Sequence, residues 1–408
     1  MPRSAGNTRL KAARLAAGLG SQQALADVLG VGVRQVRRWE SENPPHPHPE
    51  VGKALTRLLG LDLEDLGFPT SSGALLERAR SSTGAPSLAP AGLPGVSRHR
   101  AGVQPAHVAG DFLAVTRAHR RLYWSVTPAA LHPAVQAHAG LGGVLLAETT
   151  GRTHREVAAA LAESYLLAGR IEFFDIREPE PAGRTFLLAL QAAGEAEDTL
   201  LGAAILAHAA FIPGWAGERD AALERMVAAR TYARRGPAPL ELLAWLDAVE
   251  AECETRCGNA RAALRLLGHA EDLLAGESEH PVPPWLDWFS PVRLAAFKGN
   301  TQVKAGHLPQ ARQTLLEVLE ALGPGAEKQV TVVLGDLAAV EAAAGDPQAA
   351  CRYALRALDE LERTWYATGM DRVRDVRRAL TPYQDQPCVQ ELDDRLYGWS
   401  TTLSALTR

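Results

Sequence analysis

The chain has 408 residues, 46% of them hydrophobic, with 43 Lys or Arg against 47 Asp or Glu, which is material for two or three domains with sizeable cores. Charge is divided unevenly: residues 1–60 hold nine Lys or Arg and four Asp or Glu, a balance of +5, so with a total of -4 the remainder carries -9, and nucleic acid is expected to touch only the head. No basic segment followed by a long apolar run opens the sequence, and the four cysteines, Cys253, Cys257, Cys351 and Cys388, are too few and scattered for a disulfide framework, so a reducing cytoplasm is the expected setting.

In chain order, the first patterned stretch runs from Ser21 to Glu40. With Gln22 opening a helix, small Ala26 falls where two helices cross closely, and Gly30 supplies a turn free of a Cβ penalty. Leu25, Leu29, Val31, Val36 and Trp39 recur at helical spacing and form one apolar seam. That leaves Val33, Arg34, Gln35, Arg37 and Arg38 on or near the outward face of the second helix. Guanidinium forks and carboxamides match the donor and acceptor pattern of base edges in the major groove, and Arg also pairs with phosphate. An ordinary helical hairpin with a solvated basic face is the bland alternative; it requires spacing, turn glycine and charge placement to coincide by chance.

With Leu10 and Arg14 on a preceding helix, Leu10 to Leu66 resembles the phage-repressor-like (Xre) class of DNA-binding domains, which implies a five-helix bundle. The resemblance implies that Gln22 bonds a backbone phosphate, with Gln23 beside it in the DNA-binding set. It also implies that Val33, Arg34 and, one turn on, Arg38 read bases. Two departures stand out: Gly20 adds a residue before Ser21, and Gly32 occupies a place where Ser or Thr is usual. A glycine there weakens the helix start by only about a few tenths of a kcal/mol relative to a good cap.

The segment ESENPPHPHPEV after Trp39 carries four prolines and reads as a loop. Its His46 and His48 lack the Cys or carboxylate spacing of a metal site. Glu50 opens a further helix closed by Gly60, and Leu61 to Leu66 forms a last short turn. Residues 1–68 are therefore expected as the DNA-binding domain. Residues 69–104, rich in Ser, Gly, Ala and Pro, read as a flexible linker with one short helix at Ala74 to Ser81 and a solvated Arg98-His99-Arg100 cluster.

Residues 105–408 show Ala- and Leu-rich helical patterning with almost no strand signal, so the whole chain is expected to be all-α. Helices are expected at Ala106 to Tyr123, Leu131 to Glu148, Thr153 to Ala168 and Pro181 to Ala193. A unit of helix, Gly, polar residue and second helix then recurs as GERDAA at Gly217, GNARAA at Gly258, GHLPQA at Gly306 and GDPQAA at Gly345, at intervals of 41, 48 and 39 residues. Short turns with a small second-helix Ala resemble tetratricopeptide (TPR) repeats, which implies an α-solenoid of helical hairpins with a concave face. In the best copy, Gly299 and Ala311 are expected to pair where the two helices cross. The interval Thr199 to Gly217 is strongly apolar, but His208 and Pro213 interrupt it, so it reads as a buried helix and a turn rather than a membrane span.

In repeats of this kind the inner positions fall at set offsets from the small crossing residue. This implies Trp245, Glu252 and Arg256 on one unit, and Arg293, Asn300 and Lys304 on another, as ligand-binding residues. Inward Asn and Arg suit the amides or carboxylate of an extended peptide. In PVPPWLDWF, Trp285, Trp288 and Phe289 are expected at the start of a helix, as core between repeats rather than as a ligand anchor. Cys253 and Cys257 read as packed small residues.

GxSxG, GxxxxGK[ST] and HExxH are absent, and pairs such as Glu250 and Glu252 or Asp393 and Asp394 are expected on helical surfaces without a convergent partner, so no enzyme, cofactor or metal is expected. The sequence reads as a DNA-binding transcriptional regulator. Its repeat body mediates dimerisation and takes a peptide or small-molecule effector; the partners are double-stranded DNA and a second copy, with no membrane. The architecture resembles the peptide-sensing helix-turn-helix/TPR regulators of the RRNPP kind and the repeat-bearing Xre regulators of antibiotic-producing bacteria. The rival is a TPR scaffold with a vestigial helix-turn-helix.

Overall fold

A computed structural model describes residues 7–41, 44, 45, 47–59, 61, 63, 66–68 and 104–406, without the side chains of residues 16, 49, 50 and 400–406. His46, the short helix expected at 74–81, the Arg98-His99-Arg100 cluster and all of the expected linker but Gln104 lie outside the described residues. All regular elements among the described residues are helical. Contacts separate the chain into two units, residues 1–98 and 99–408.

In the first unit, α1 spans Thr8–Ala16, α2 Gln22–Leu29, α3 Val33–Trp39 and α4 Pro49–Leu59. Residues 62, 64 and 65 of the expected fifth helix lie outside the described set. Asn7 caps α1, and its Nδ2 donates to the carbonyls of Trp39 at 3.1 Å and Leu66 at 3.0 Å, tying three parts of the head together. Ser21 caps α2 through Oγ, which accepts from the Ala24 amide at 3.1 Å. Gly30 ends α2 at φ 65, where a Cβ would be strained, and turns the chain into α3. Leu10, Leu25, Val36, Trp39 and Leu55 form the buried seam, with Leu29 and Val31 packed at its edge.

The second unit begins with α5 (His107–Leu122) and α6 (Pro128–Ala147). Hairpins follow as α7 (Gly151–Arg170) with α8 (Pro179–Glu195), α9 (Thr199–Ala216) with α10 (Arg219–Ala233), and α11 (Leu240–Arg256) with α12 (Ala260–Ala275). The series continues with α13 (Pro291–Lys304) and α14 (Leu308–Ala321), α15 (Glu327–Ala344) and α16 (Pro347–Arg363), then α17 (Ala367–Ala379) and α18 (Pro387–Leu406). First helices stack in sequence, α9 on α11, α11 on α13, α13 on α15 and α15 on α17.

The repeated motif has one backbone form. Gly217, Gly258, Gly306 and Gly345 have φ of 80, 83, 77 and 81°, and Ala222, Ala263, Ala311 and Ala350 are each fully buried on the second helix. The close approach between α13 and α14 is not the expected pairing of Gly299 with Ala311. A Cβ on Gly299 would fall 2.5 Å from Leu315 Cδ2, one helical turn beyond Ala311. Nor does Pro213 interrupt α9, which runs unbroken through it. Proline lacks the N–H that would bond the Ala209 carbonyl, and Arg225 of α10 supplies a donor there at 2.5 Å. Helix α9 is long and apolar enough to cross a membrane, and 61% of it is buried inside this unit.

The α7–α8 connection is different. It is a π-helical turn, Ile171–Asp175, followed by Arg177 at φ 64. Loosened from regular helical bonding, the Phe174 carbonyl accepts from Thr368 Oγ1 and the Asp175 carbonyl from Trp365 Nε1, both at 3.0 Å. Arg177 Nε donates to Asp371 Oδ2 at 2.6 Å. Lys328 Nζ pairs with the Asp175 carboxylate, with side chains 1% and 0% exposed. The end of the series is thus bonded to a turn nearly two hundred residues earlier, and the concave face becomes a cavity.

Candidate functional site

On α3, Arg34, Gln35, Arg37 and Arg38 are exposed while Val36 and Trp39 are buried. The three arginines make no ion pair among the described residues. Val33 is half-buried and packs against the head's core, so it presents only part of its side chain outward. Gln23 is exposed and donates to Asp27 Oδ1 at 2.7 Å. Gln22 is half-buried, with Nε2 donating to Glu40 Oε2 at 2.7 Å. Glu40 also takes Arg14 Nε at 2.7 Å, and the Arg14 and Glu40 side chains are 4% and 6% exposed. One carboxylate therefore joins α1, the start of α2 and the end of α3, which fixes the crossing of the two hairpin helices. Gln22 retains a second side-chain N–H beyond this bond. Gly32 has the extended backbone of a cap residue, φ -71° and ψ 140°, without a side chain to bond α3.

The body's cavity holds about 850 Å³, part of it open to solvent. One end is aromatic. Trp288 lies 6.2 Å from Trp124 and 6.0 Å from Trp245 between ring centroids, and Tyr123, Phe174, Phe211 and Trp215 extend the wall. Arg170 stands over Tyr123 at 4.7 Å and Trp288 at 4.8 Å, and Arg293 over Trp124 at 4.0 Å. Arg293 is held down to about 10, first by burial. His208 donates from Nδ1 to the Ala204 carbonyl at 2.9 Å. Burial, with the nearby Arg170 charge, pushes its pKa down to about 3, so it is neutral.

The other end is a compensated charge cluster. Glu252, 4% exposed, accepts from Arg256 Nε at 2.9 Å and Asn300 Nδ2 at 3.1 Å, with Arg372 Nη2 3.6 Å away. Burial opposes its charge, but Arg256 and Arg372 bring its pKa below the ordinary carboxylate value. Arg372 also faces Asp336 at 3.1 Å. Burial nevertheless holds Asp336 up at about 6.

Residues 10–66 match the helix-turn-helix family model. The head is an Xre-type DNA-binding domain. That match supports a DNA-binding regulator. No curated protein matches the chain.

Of the six residues singled out as inner positions, Trp245, Glu252, Arg293 and Asn300 line the cavity. Arg256 and Lys304 line an adjoining groove with Asn300 and Arg372. Glu252 is not a surface carboxylate as expected. Arg256 one turn on and Asn300 from the next unit converge on it, Asn300 through an N–H of its side-chain amide. The PVPPWLDWF aromatics divide: Trp285 and Phe289 are core, whereas Trp288 lines the cavity, and a 3-10 turn, Pro284–Leu286, precedes the helix that starts at Pro291. Cys253 and Cys257 pack against α9, with their sulfurs 3.6 and 3.9 Å from the Ala210 and Gly214 carbonyls. Arg170, Tyr123, Trp124 and Arg372 were missed; the Tyr123-Trp124 pair at the end of a helix was the one local signal. Glu40 was noted only as a motif residue, though it joins the three helices around the helix-turn-helix.

Proposed function

We propose that this chain is a sequence-specific transcriptional regulator whose head binds double-stranded DNA and whose TPR-like body senses a peptide or small molecule in its cavity. The observation that supports the reading is a solvent-facing α3 bearing Arg34, Arg37 and Arg38 with no ion-pair partner among the described residues, held by the Arg14–Glu40–Gln22 network. Exposed guanidinium groups suit base edges and phosphates alike. A lone short recognition helix offers few base contacts, so the regulator acts as a homodimer on a roughly palindromic operator, in keeping with a cytoplasmic regulator of RRNPP-like architecture. An effector changes DNA affinity only through unequal affinity for two arrangements of the protein.

Gel-shift titration on the region upstream of the protein's own gene, against random DNA, tests this. Arg34→Ala should lower affinity for the specific site by about 1–3 kcal/mol while leaving random DNA nearly unaffected, and Gln22→Ala should weaken both. Equal losses for Arg34→Ala on the two DNAs would remove the base-reading assignment. Footprinting should show two protected half-sites about one helical turn apart; protection of a single half-site by a monomer removes the dimer.

A further inference from the structure

Cations in and around the cavity are paired with carboxylates, as Lys328 is with Asp175, Arg372 with Asp336 and Arg256 with Glu252. Arg170 and Arg293 are the contrast. Neither forms an ion pair among the described residues, and Arg170 Nε is buried without any hydrogen-bond partner. Both lie against the same indole, 5.6 and 4.0 Å from the Trp124 centroid. Ring faces balance part of a cation's charge but accept none of its directional N–H bonds.

Resting on the reading of the body as a sensor, we propose that the cavity takes an organic acid: an anionic head, a carboxylate by preference, held by Arg170 and Arg293, on a flat apolar body stacked among Trp124, Trp245 and Trp288. A carboxylate supplies the planar pair of acceptors that a guanidinium fork fits. It also supplies the direct ion-pair partner that both arginines lack among the described residues, in a site where burial already weighs on Arg293. The adjoining groove shares Trp124, Arg170 and Trp288 with the cavity and carries Arg117 and Arg121, so the approach attracts anions. Glu252 and Asp336, at the far end, are engaged by arginines and call for no cationic group on the ligand. The carboxylate belongs either to a small aromatic acid or to the C-terminus of a short apolar peptide.

The intact chain is titrated with two fluorescent probes sharing one apolar body, 8-anilinonaphthalene-1-sulfonate and the uncharged N-phenyl-1-naphthylamine. The sulfonate should bind saturably and about tenfold or more tighter than the amine, the effect of one charge-assisted contact. Arg170→Met and Arg293→Met should each weaken the sulfonate about tenfold and the amine less than about twofold, and Trp288→Ala should weaken both. Equal affinity of the two probes for the unsubstituted chain overturns the proposal, and that comparison decides even where a variant fails to fold. Unchanged sulfonate affinity in both folded arginine variants overturns it as well. Displacement by indole-3-acetate identifies a small acid and displacement by a tripeptide ending in Leu-Trp with a free carboxylate identifies a peptide; displacement by neither overturns the carboxylate. None of these outcomes alters the head's gel-shift result, so failure here is separable from failure of the regulator reading.

Discussion

Removing the Lys328 ammonium tests how the end of the helical series is held to the turn after α7. Lys328 on α15 reaches Asp175 in the turn after α7, 153 positions away in sequence, with both side chains essentially out of contact with water. Burial pushes the Asp175 carboxyl above its ordinary pKa and the Lys328 ammonium below its own, so neither charge is comfortable there without the other. Lys328→Met preserves most of the volume but strands the carboxylate, a change that costs about 3–5 kcal/mol. For a unit of roughly 300 residues, with an unfolding entropy of about 2 cal/mol/K per residue, that is a fall in Tm of about 5–8 °C. Replacing both partners, Lys328→Met with Asp175→Asn, removes the uncompensated charge and should recover all but about 2 kcal/mol. Calorimetry and urea denaturation of the single and double variants supply the measurement. A single-variant loss under about 1 kcal/mol, typical of an exposed pair, or a double variant as unstable as the sum of the singles, would refute the reasoning.

Gly299→Ala would drive a Cβ to 2.5 Å from Leu315 Cδ2 and should cost about 1–3 kcal/mol; combined with Leu315→Ala, the loss measured by denaturation should fall short of the sum of the two singles by about 1 kcal/mol. Glu40→Ala leaves Arg14, 3% exposed, without its partner, and at about 3–5 kcal/mol this should expose the α1–α3 amides to hydrogen exchange and abolish the gel shift, whereas Gln22→Ala should leave exchange nearly unchanged. His208 is neutral in the fold, its pKa lowered from 6.5 to about 3, so the unfolded chain takes up the proton first as pH falls and stability declines on acidification. The linkage amounts to about 2 kcal/mol between pH 7.5 and pH 5. His208→Gln should flatten the urea midpoint across that interval by a corresponding amount, and an unaltered slope would contradict the neutral assignment.

The all-helical class and the hairpin series were legible because each rests on local chemistry. Four glycines at equivalent turns and four alanines beneath them recur in the sequence at intervals that the structure reproduces as one backbone form. The outward face of α3 was legible for the same reason, since Val36 and Trp39 fix which side is buried. Residue-by-residue site assignment inside the body was harder. Trp245 and Arg293 follow from repeat register, yet nothing near Arg170 in sequence shows that Trp124 and Trp288 will meet it. Glu252 looked like a surface carboxylate because its partners Asn300 and Arg372 come from helices 48 and 120 positions on. Closure over the cavity was invisible, because a π-helical turn has no sequence signature comparable to a glycine at a helix end.

The bonds from Trp365 and Thr368 back to the turn at Phe174 and Asp175 also order events on the ribosome. The helix-turn-helix emerges by Glu40, more than three hundred residues ahead of the segment that bonds back to this turn. A nascent chain therefore completes its first unit long before it holds the helices that close the cavity of the second. A chain broken anywhere between the two would keep the helix-turn-helix and lack the bonds that close the cavity.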